Sequence, residues 1–412
     1  MGNQALSSAI TKKYAVDPAT PVASAGPLGL WSVYSATIRS TAKDKKSPRN
    51  NSIGGDSGDC GDEVSLWVLR KADATRIDHP SVTKLKPKEQ ARSVQAHLTA
   101  GAKTLSRLRH PSLLRVVEVL PDSNSHIAVI TEPVFASLAN ALKRYDGPAF
   151  APPDVAKSSS DAQIAQGPPA ELREFSMSEF EVCHGMHQIS EALRFLHEEA
   201  KLVHGNVCPS SVVLTSGGDW KLCGFGFAQQ GIGGGDFAKA TMFTQEACEE
   251  DNAATRQHAP PQVPLRPTVN YAAPEICDVS VTRRECSHAS DVFSLACLLW
   301  ELTVGMQSQD GSARPLLQGR DGRVSTHRYK LSQLNPDQVI TSAGSSMPEG
   351  LKETLRGMLQ IDPRRRPNMQ QVCICPYFDS GSVKVLKIVS SLTASETTAA
   401  RQAQILAHLP KQ

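Results

Sequence analysis

Over the first third of the chain, short apolar runs alternate with polar gaps, which is the pattern of β-strands separated by loops. The runs that predict strands are 31–38, 63–71, 112–120 and 126–134. Between the second and third runs, residues 88–111 predict one amphipathic helix. The residues available for its apolar side are Val94, Leu98, Leu105 and Leu108. Strands followed by one helix and further strands predict a small α+β lobe.

Beyond the fourth strand, apolar residues recur at helical spacing, so this part of the chain is predicted to be mostly helical. One stripe, which advances by three or four positions at each step, is Val182, Met186, Ile189, Leu193 and Leu196. A second stripe is Val292, Leu295, Leu299 and Leu302. Each stripe predicts a helix that buries one face, and together they predict a second, larger lobe.

Four polar segments lack any period and predict loops or loose chain. They are the leader 1–23, the segment 40–62, the segment 149–176 and the segment 229–267. The second is rich in Gly, Ser, Asp and Lys and predicts a long hairpin loop, while the last is rich in Gly, Gln and acidic residues. The architecture expected from the pattern is therefore two lobes with long insertions.

Composition narrows the class of protein. Charged residues make up 21% and hydrophobic residues 40% of the 412 positions, as in a soluble globular protein, and the net charge of +3 predicts no nucleic-acid partner. The ten cysteines form no CxxC pair and have no histidine at zinc spacing, which favours reduced thiols in a cytoplasmic protein. No apolar run approaches the ~20 residues of a membrane helix. We therefore expect no metal site and no direct membrane insertion.

The stretch LVHGNVCPSSVVLTSGGDWKLCGFGFA, residues 202–228, carries the most specific signal. A protein kinase would have HRDLKPENILL here, with DFG shortly afterwards. With the elements in the same order, the chain resembles the eukaryotic protein-kinase fold from 25 to 378. The resemblance implies an α+β bilobal domain at 24–379, with an N-lobe at 24–134 and a C-lobe at 135–379.

The positions that would carry kinase chemistry hold other residues. A lysine, a helix glutamate, a catalytic base, a loop lysine and two metal ligands are replaced, in that order, by Trp67, Gly101, Asn206, Cys208, Ser211 and Gly224. Phosphoryl transfer depends on positioning and on neutralisation of charge by lysine and Mg²⁺. An amide is a very poor base, and glycine has no side-chain oxygen for a metal. The resemblance therefore implies a pseudokinase with no catalytic residues.

The resemblance also places the residues that would touch a nucleotide. They are Gly26, Gly29, Val33, Thr131 and Val134. Bulky residues stand among the glycines of the phosphate loop, and Pro133 in the hinge lacks an N–H. Trp67 is expected to point into the cleft and fill adenine or phosphate space. We expect no cofactor, and binding of ATP without Mg²⁺ stays open.

Residues with structural roles in kinases are retained. Leu105, His204 and Phe225 match members of an apolar column that joins the lobes. Asp291 matches the aspartate that bonds the catalytic-loop backbone, and Glu275 and Arg366 match a buried ion pair. Retention of these structural residues together with replacement of the catalytic residues is the pattern that predicts a pseudokinase.

Several stretches resemble the Scy-one-like pseudokinases more closely, and within them the coated-vesicle-associated branch. They are TEPVFASLANAL, LTAGAKTLSRLRHPSLL, HGNVCPSSVVL and DWKLCGFGF. The resemblance implies a scaffold in traffic between Golgi, endosomes and clathrin-coated vesicles, with clathrin coat or adaptor proteins as partners. It implies a cytoplasmic protein that reaches these membranes only through its partners. Residues 380–412 resemble a linker and the start of a truncated helical-repeat region.

Two alternatives remain at this stage. One is a weak, atypical Ser/Thr protein kinase that uses Lys71 or Lys221 in place of the missing lysine. The other is a domain that binds nucleotide as a conformational switch without transferring phosphate.

Overall fold

The computed structural model describes most of the two predicted lobes and leaves several inserted segments undescribed. The described residues are 12–16, 21–39, 62–75, 87–123, 125–145, 147–150, 167–230, 268–277, 286–305, 314–318, 329–343 and 347–378. The predicted loops at 40–62 and 229–267, most of the insert at 149–176, and the predicted repeat start at 380–412 fall largely or wholly outside them.

An antiparallel six-stranded sheet forms the N-lobe. Its strands are β1 (Tyr14–Val16), β2 (Ala23–Ala25), β3 (Trp31–Ile38), β4 (Glu63–Arg70), β5 (Val116–Val119) and β6 (His126–Thr131). They lie in the order β1–β3–β4–β6–β5, and β2 pairs with the other end of β3 from β1. All four runs predicted as strands therefore lie in one sheet.

One long helix, α1 (Pro87–Arg107), packs against this sheet. Its predicted apolar side is correct, because Val94, Leu98 and Leu105 are at most 5% exposed and Leu108 is packed against the same core. The lobe is thus a sheet covered on one face by a helix. This is the arrangement expected when one amphipathic segment lies between strands, because the helix buries its apolar face against the sheet.

The expectation that residues 1–23 are loose is wrong for part of that segment. Tyr14 is buried, and its hydroxyl donates a hydrogen bond to Glu118 Oε2 at 2.6 Å. β1 pairs with the end of β3, with Tyr14 opposite Ile38. A strand of three residues is too short to produce a periodic pattern, so the sequence carried no sign of it.

The C-lobe is built from helices around one buried helix. In chain order they are α2 (Leu138–Ala141), α3 (Ala170–Glu174), α4 (Glu179–Glu198), α5 (Pro274–Cys277), α6 (His288–Thr303), α7 (Pro336–Ser342), α8 (Glu349–Met358) and α9 (Met369–Cys373). α6 is buried on nearly every side, so it is a core helix, whereas α4 buries the predicted stripe. The fold class predicted from the sequence, α+β and bilobal, is confirmed.

Two small sheets carry the loops that face the N-lobe. One consists of β7 (Ala136–Ser137), β9 (Val212–Leu214) and β10 (Trp220–Leu222), and the other of β8 (Leu202–Val203) and β11 (Gln229–Gln230). The segments predicted to be loops at 149–176 and 229–267 contain ordered elements, α3 in the first and β11 at the start of the second.

None of the described helices combines the length and the apolar character that crossing a membrane requires.

An ion pair joins α5 to the segment just before α9. Arg366 Nη1 and Nη2 donate to the two carboxylate oxygens of Glu275 at 2.7 and 2.8 Å. The same guanidinium also donates to the backbone carbonyls of Ala289, Gln360 and Ile361. Because the Arg366 side chain is fully buried, these bonds replace its water shell completely.

We expect Arg366→Met to lower the free energy of unfolding by about 3 kcal/mol, because it leaves the Glu275 carboxylate in a largely buried site without its cation. The matched control is Arg365→Met, whose side chain is 76% exposed, and which should change stability by less than about 0.5 kcal/mol. Urea unfolding of both variants measures the difference. Equal losses in the two variants would show that the pair contributes nothing specific.

Candidate functional site

The candidate site is the cleft between the N-lobe sheet and the C-lobe loops. The side chains and backbone that line it leave a cavity of about 50 Å³. Sites for drug-sized ligands and cofactors usually measure about 300–1,000 Å³. The lining residues are Pro27, Trp31, Trp67, Leu98, Gly101, Ala102, Leu105, Leu114, Val116, Val129, Thr131, Cys223, Gly224, Phe225 and Gly226. The cleft is therefore mostly filled by the protein itself.

Trp67 occupies the centre of the cleft. It lies on β4 opposite Val129 of β6, and its indole Nε1 donates a hydrogen bond to Thr131 Oγ1 at 2.9 Å. The ring of Trp31 meets the Trp67 ring edge-on, with 6.3 Å between centroids. Both indoles are 6% exposed. A residue at the lysine position thus becomes the main filler of the cleft.

The turn between β2 and β3 lies where a phosphate-binding loop would be. Gly26, Leu28 and Gly29 all have positive φ, of 72°, 58° and 62°. The Gly26 N–H donates to the Ser210 carbonyl oxygen in the C-lobe at 2.9 Å. A Cβ on Gly26 would lie 2.6 Å from Trp31 Cδ1, so the turn is packed tightly on the indole. This N–H therefore faces a carbonyl and cannot face a phosphate.

The hinge between the lobes has no free donor for a purine ring at Val134. Its N–H donates to Ser65 Oγ, a residue of β4, at 2.9 Å. Pro133 before it has no N–H. Thr131 donates its hydroxyl hydrogen to the Glu132 carbonyl and accepts from Trp67. The Val134 N–H and the Thr131 hydroxyl are therefore satisfied within the protein.

Of the five residues predicted to touch a nucleotide, Thr131 lines this cavity, and all five make contacts within the protein. Gly26, Thr131 and Val134 make the bonds described above. Val33 is fully buried opposite Trp67, and the Gly29 carbonyl lies so close to Gly147 that a Cβ there would be 2.1 Å away. None of these five residues has a charged side chain that could hold Mg²⁺ or a phosphate.

Two glycines, Gly101 and Gly226, allow α1 to approach the turn Phe225–Phe227 at backbone distance. A Cβ on Gly101 would lie 2.6 Å from the Gly226 nitrogen. Gly224 has φ 79°, and a Cβ there would lie 3.1 Å from Ser211 Cβ. A glutamate at position 101 would therefore require the backbone to move, and an aspartate at position 224 would be strained by its positive φ and would press on Ser211.

His97 of α1 belongs to the same contact and was not predicted from the sequence. Its ring packs on Phe227 with 4.3 Å between centroids, and a Cβ on Gly226 would lie 2.4 Å from its Nε2. That nitrogen is buried and has no hydrogen-bond partner. Burial lowers the pKa of His97 to about 4. His97 and Gly101 are four positions apart and therefore lie on one face of the helix. This spacing is the feature of the sequence from which the contact of His97 could have been predicted.

The replaced residues of the catalytic loop bond to neighbouring backbone and side chains. Asn206 Oδ1 accepts a hydrogen bond from the Thr268 N–H at 2.8 Å. The Thr268 hydroxyl donates to Cys208 Sγ at 3.5 Å, and Ser211 Oγ donates to the Cys208 carbonyl at 2.8 Å. These three side chains fasten the loop to itself and to the segment at Thr268.

The two lysines considered as substitutes for the missing catalytic lysine form ion pairs outside the cavity. Lys71 Nζ lies 2.9 Å from Asp122 Oδ1. Lys221 Nζ lies 3.2 Å from Glu132 Oε2 and donates to the Pro111 carbonyl at 2.8 Å. Neither lines the cavity. Among the described residues, no group of three His, Cys, Asp or Glu side chains is arranged to hold a metal ion.

Asp291 holds the backbone of the loop that begins at His204. Its carboxylate accepts hydrogen bonds from the N–H groups of His204 and Gly205, both at 2.8 Å, and lies 2.9 Å from His197 Nε2. Burial raises the pKa of Asp291, but the hydrogen bonds that its carboxylate accepts from His197 and the Gly205 N–H contribute to an opposing effect that outweighs burial, so the pKa is lowered. The carboxylate therefore stays ionised inside the core.

His204 joins this loop to the turn at Phe225. Its Nε2 lies 2.8 Å from the Cys223 carbonyl oxygen, which can only accept, so Nε2 carries the hydrogen. Burial lowers the pKa of His204, which favours the neutral ring. The rings of His204 and Phe225 meet edge-on at 5.0 Å, and Leu105 is buried in the same core cluster. The structure thus brings the predicted column residues into one core.

A bilobal sheet-and-helix fold around such a loop and turn defines the protein-kinase class. The protein kinase domain family matches residues 68–378, so the chain belongs to this family.

As predicted, the chain also resembles the SCY1-like group of kinase-like proteins. It is 26% identical over 407 residues to SCY1-like protein 2 of Mus musculus, covering 98% of this chain and 36% of the relative. It is 29% identical over 369 residues to protein kinase domain-containing protein ppk32 of Schizosaccharomyces pombe, covering 88% and 40%. A match of 22% over 299 residues, covering 72% and 27%, is to the probable inactive serine/threonine-protein kinase scy1 of Dictyostelium discoideum. The chain spans well under half the length of these relatives.

The half-buried, neutral His97 predicts an acid-sensitive contact between α1 and the turn at Phe225. Its pKa of about 4 lies below the ordinary value of 6.5, so between these values the unfolded chain binds a proton that the folded protein does not. Stability should therefore be complete above pH 6.5 and fall as the pH drops towards 4, by up to about 3 kcal/mol from this group.

We expect His97→Leu to lose less stability than the wild type between pH 7 and 4.5, in urea unfolding at each pH. Comparison of each protein with its own value at pH 8, where the imidazole is neutral in both states, removes the effect of the substitution on packing. Identical pH dependence of the two proteins would show that His97 is protonated as easily when folded.

Proposed function

We propose that the chain is a catalytically inactive kinase-like domain that acts by binding other proteins. One observation carries this proposal: the cleft retains about 50 Å³, because Trp31 and Trp67 fill it. The hinge and turn N–H groups are already bonded inside the protein. A domain whose ligand site is filled can still offer its outer surface to partners.

The charges that phosphoryl transfer needs are also missing from the cleft. Catalysis of this reaction depends on cations beside the phosphates and on a group that accepts the proton of the attacking hydroxyl. Trp67, Gly224 and Asn206 supply neither cation, metal ligand nor base, and Asn206 is engaged with Thr268. The ion pairs of Lys71 and Lys221 argue against the alternative in which either lysine substitutes. The word inactive in the name of the Dictyostelium relative supports the same proposal.

The finer proposal is a scaffold in clathrin and Golgi–endosome membrane traffic. It is supported by the sequence resemblance to Scy-one-like proteins of the coated-vesicle-associated branch. The proposed partners are clathrin coat or adaptor proteins, and the proposed location is the cytoplasm, including the surfaces of Golgi, endosomal or coated-vesicle membranes. Contact with a membrane would then pass through these partners.

The first experiment is thermal unfolding with and without nucleotide. A ligand at 100 times its Kd stabilises a folded protein by about 2.7 kcal/mol, which raises Tm by several degrees. We expect no rise with millimolar Mg·ATP, with ADP, or with ATP and EDTA. A clear rise with Mg·ATP would contradict the proposal, and a rise with ATP and EDTA alone would indicate binding without transfer.

The second experiment tests the partners. We expect the immobilised protein to retain clathrin or the ear domains of clathrin adaptors from purified solutions, above the level of a tag-only control. Retention equal to that control would remove the trafficking assignment and leave the inactive domain without an assigned partner.

A further inference from the structure

A buried pair of hydrogen bonds joins the two lobes at β2. The Ser24 N–H donates to Asn140 Oδ1 at 2.8 Å, and Asn140 Nδ2 donates to Ser24 Oγ at 2.9 Å. Ser24 lies on the N-lobe sheet and Asn140 on α2 of the C-lobe, 116 positions apart in the chain. They are 3% and 0% exposed, respectively.

Asn140 has every hydrogen bond that its amide can make on the donor side. Its second Nδ2 hydrogen goes to the Arg144 carbonyl at 2.9 Å, and its own backbone N–H donates to Ser137 Oγ. A fully satisfied, fully buried amide is costly to separate from its partners, because each group then loses its bond before it regains water. Opening the lobes at β2 would break the two bonds to Ser24.

The turn that follows β2 makes two more contacts across the cleft. The Gly26 N–H donates to the Ser210 carbonyl, and the Gly29 carbonyl meets the backbone of Gly147. The segment 24–29 therefore touches α2, the 3₁₀ turn Pro209–Ser211 and the chain at Gly147 within six residues. In each of these contacts both partners are groups of the protein itself, so none of them depends on a ligand.

We propose that segment 24–29 is an interlobe clamp that holds the two lobes in one fixed, closed arrangement without a ligand. The inference rests on the proposed function in one respect, since a clamp made by the chain takes the place of a nucleotide between the lobes. A surface formed by both lobes is then preformed, so a partner binds it without first ordering the domain.

Hydrogen exchange followed by mass spectrometry tests the clamp in the intact chain. We expect Asn140→Ala to speed exchange of peptides covering 22–30 by about five-fold to a hundred-fold, as the loss of a buried polar partner predicts. Peptides from α4 and α6 should not change. The matched control is Asn335→Ala, which removes an exposed cap of α7 far along the C-lobe and should leave 22–30 unaffected.

Ser24→Ala is the second variant, in case Asn140→Ala does not fold. It removes only the Oγ that accepts from Asn140, and it should speed exchange of the same peptides to a smaller degree. Unchanged exchange at 22–30 in the folded variants would overturn the clamp. Exchange of the wild-type protein, measured with and without Mg·ATP, separates the two proposals. Slow exchange at 22–30 that appears only with nucleotide would overturn the clamp and the proposed function together. Fast exchange at 22–30 that nucleotide does not change would overturn the clamp alone.

Discussion

The hydrogen bond from the Trp67 indole to Thr131 fixes a large apolar ring in the middle of the interlobe cleft. The packing of the neighbouring residues follows from the position of that ring. Trp31 packs against it edge-on, the turn at Gly26 packs on Trp31, and the Gly26 N–H meets Ser210. Such close packing of rings and backbone leaves room for little more than a water molecule or two.

The fold persists because its supports do not depend on catalytic chemistry. Asp291 holds the loop at His204 through backbone N–H groups, and Arg366 holds Glu275 deep in the C-lobe. The residues that replace catalytic groups bond to their neighbours, as Asn206 does with Thr268. A kinase framework can therefore lack a charged cleft while the residues at the catalytic-loop positions still find hydrogen-bond partners.

Periodic and local features could be predicted from the sequence. The stripe on α4, the apolar side of α1 and the position of Trp67 on β4 all follow from spacing along one element. The bonds that close the cleft could not be predicted, since Ser65 with Val134, and Ser24 with Asn140, are single polar residues brought together from distant parts of the chain. Isolated pairs of this kind produce no periodic pattern along the sequence.

The most direct test of the filled cleft is a crystal structure of the protein grown with millimolar Mg·ATP. Our account predicts that Trp67 remains bonded to Thr131, that Val134 remains bonded to Ser65, and that no magnesium ion is held by protein carboxylates. An ordered triphosphate with its metal gripped by such side chains, and with the Trp67 ring displaced, would contradict it.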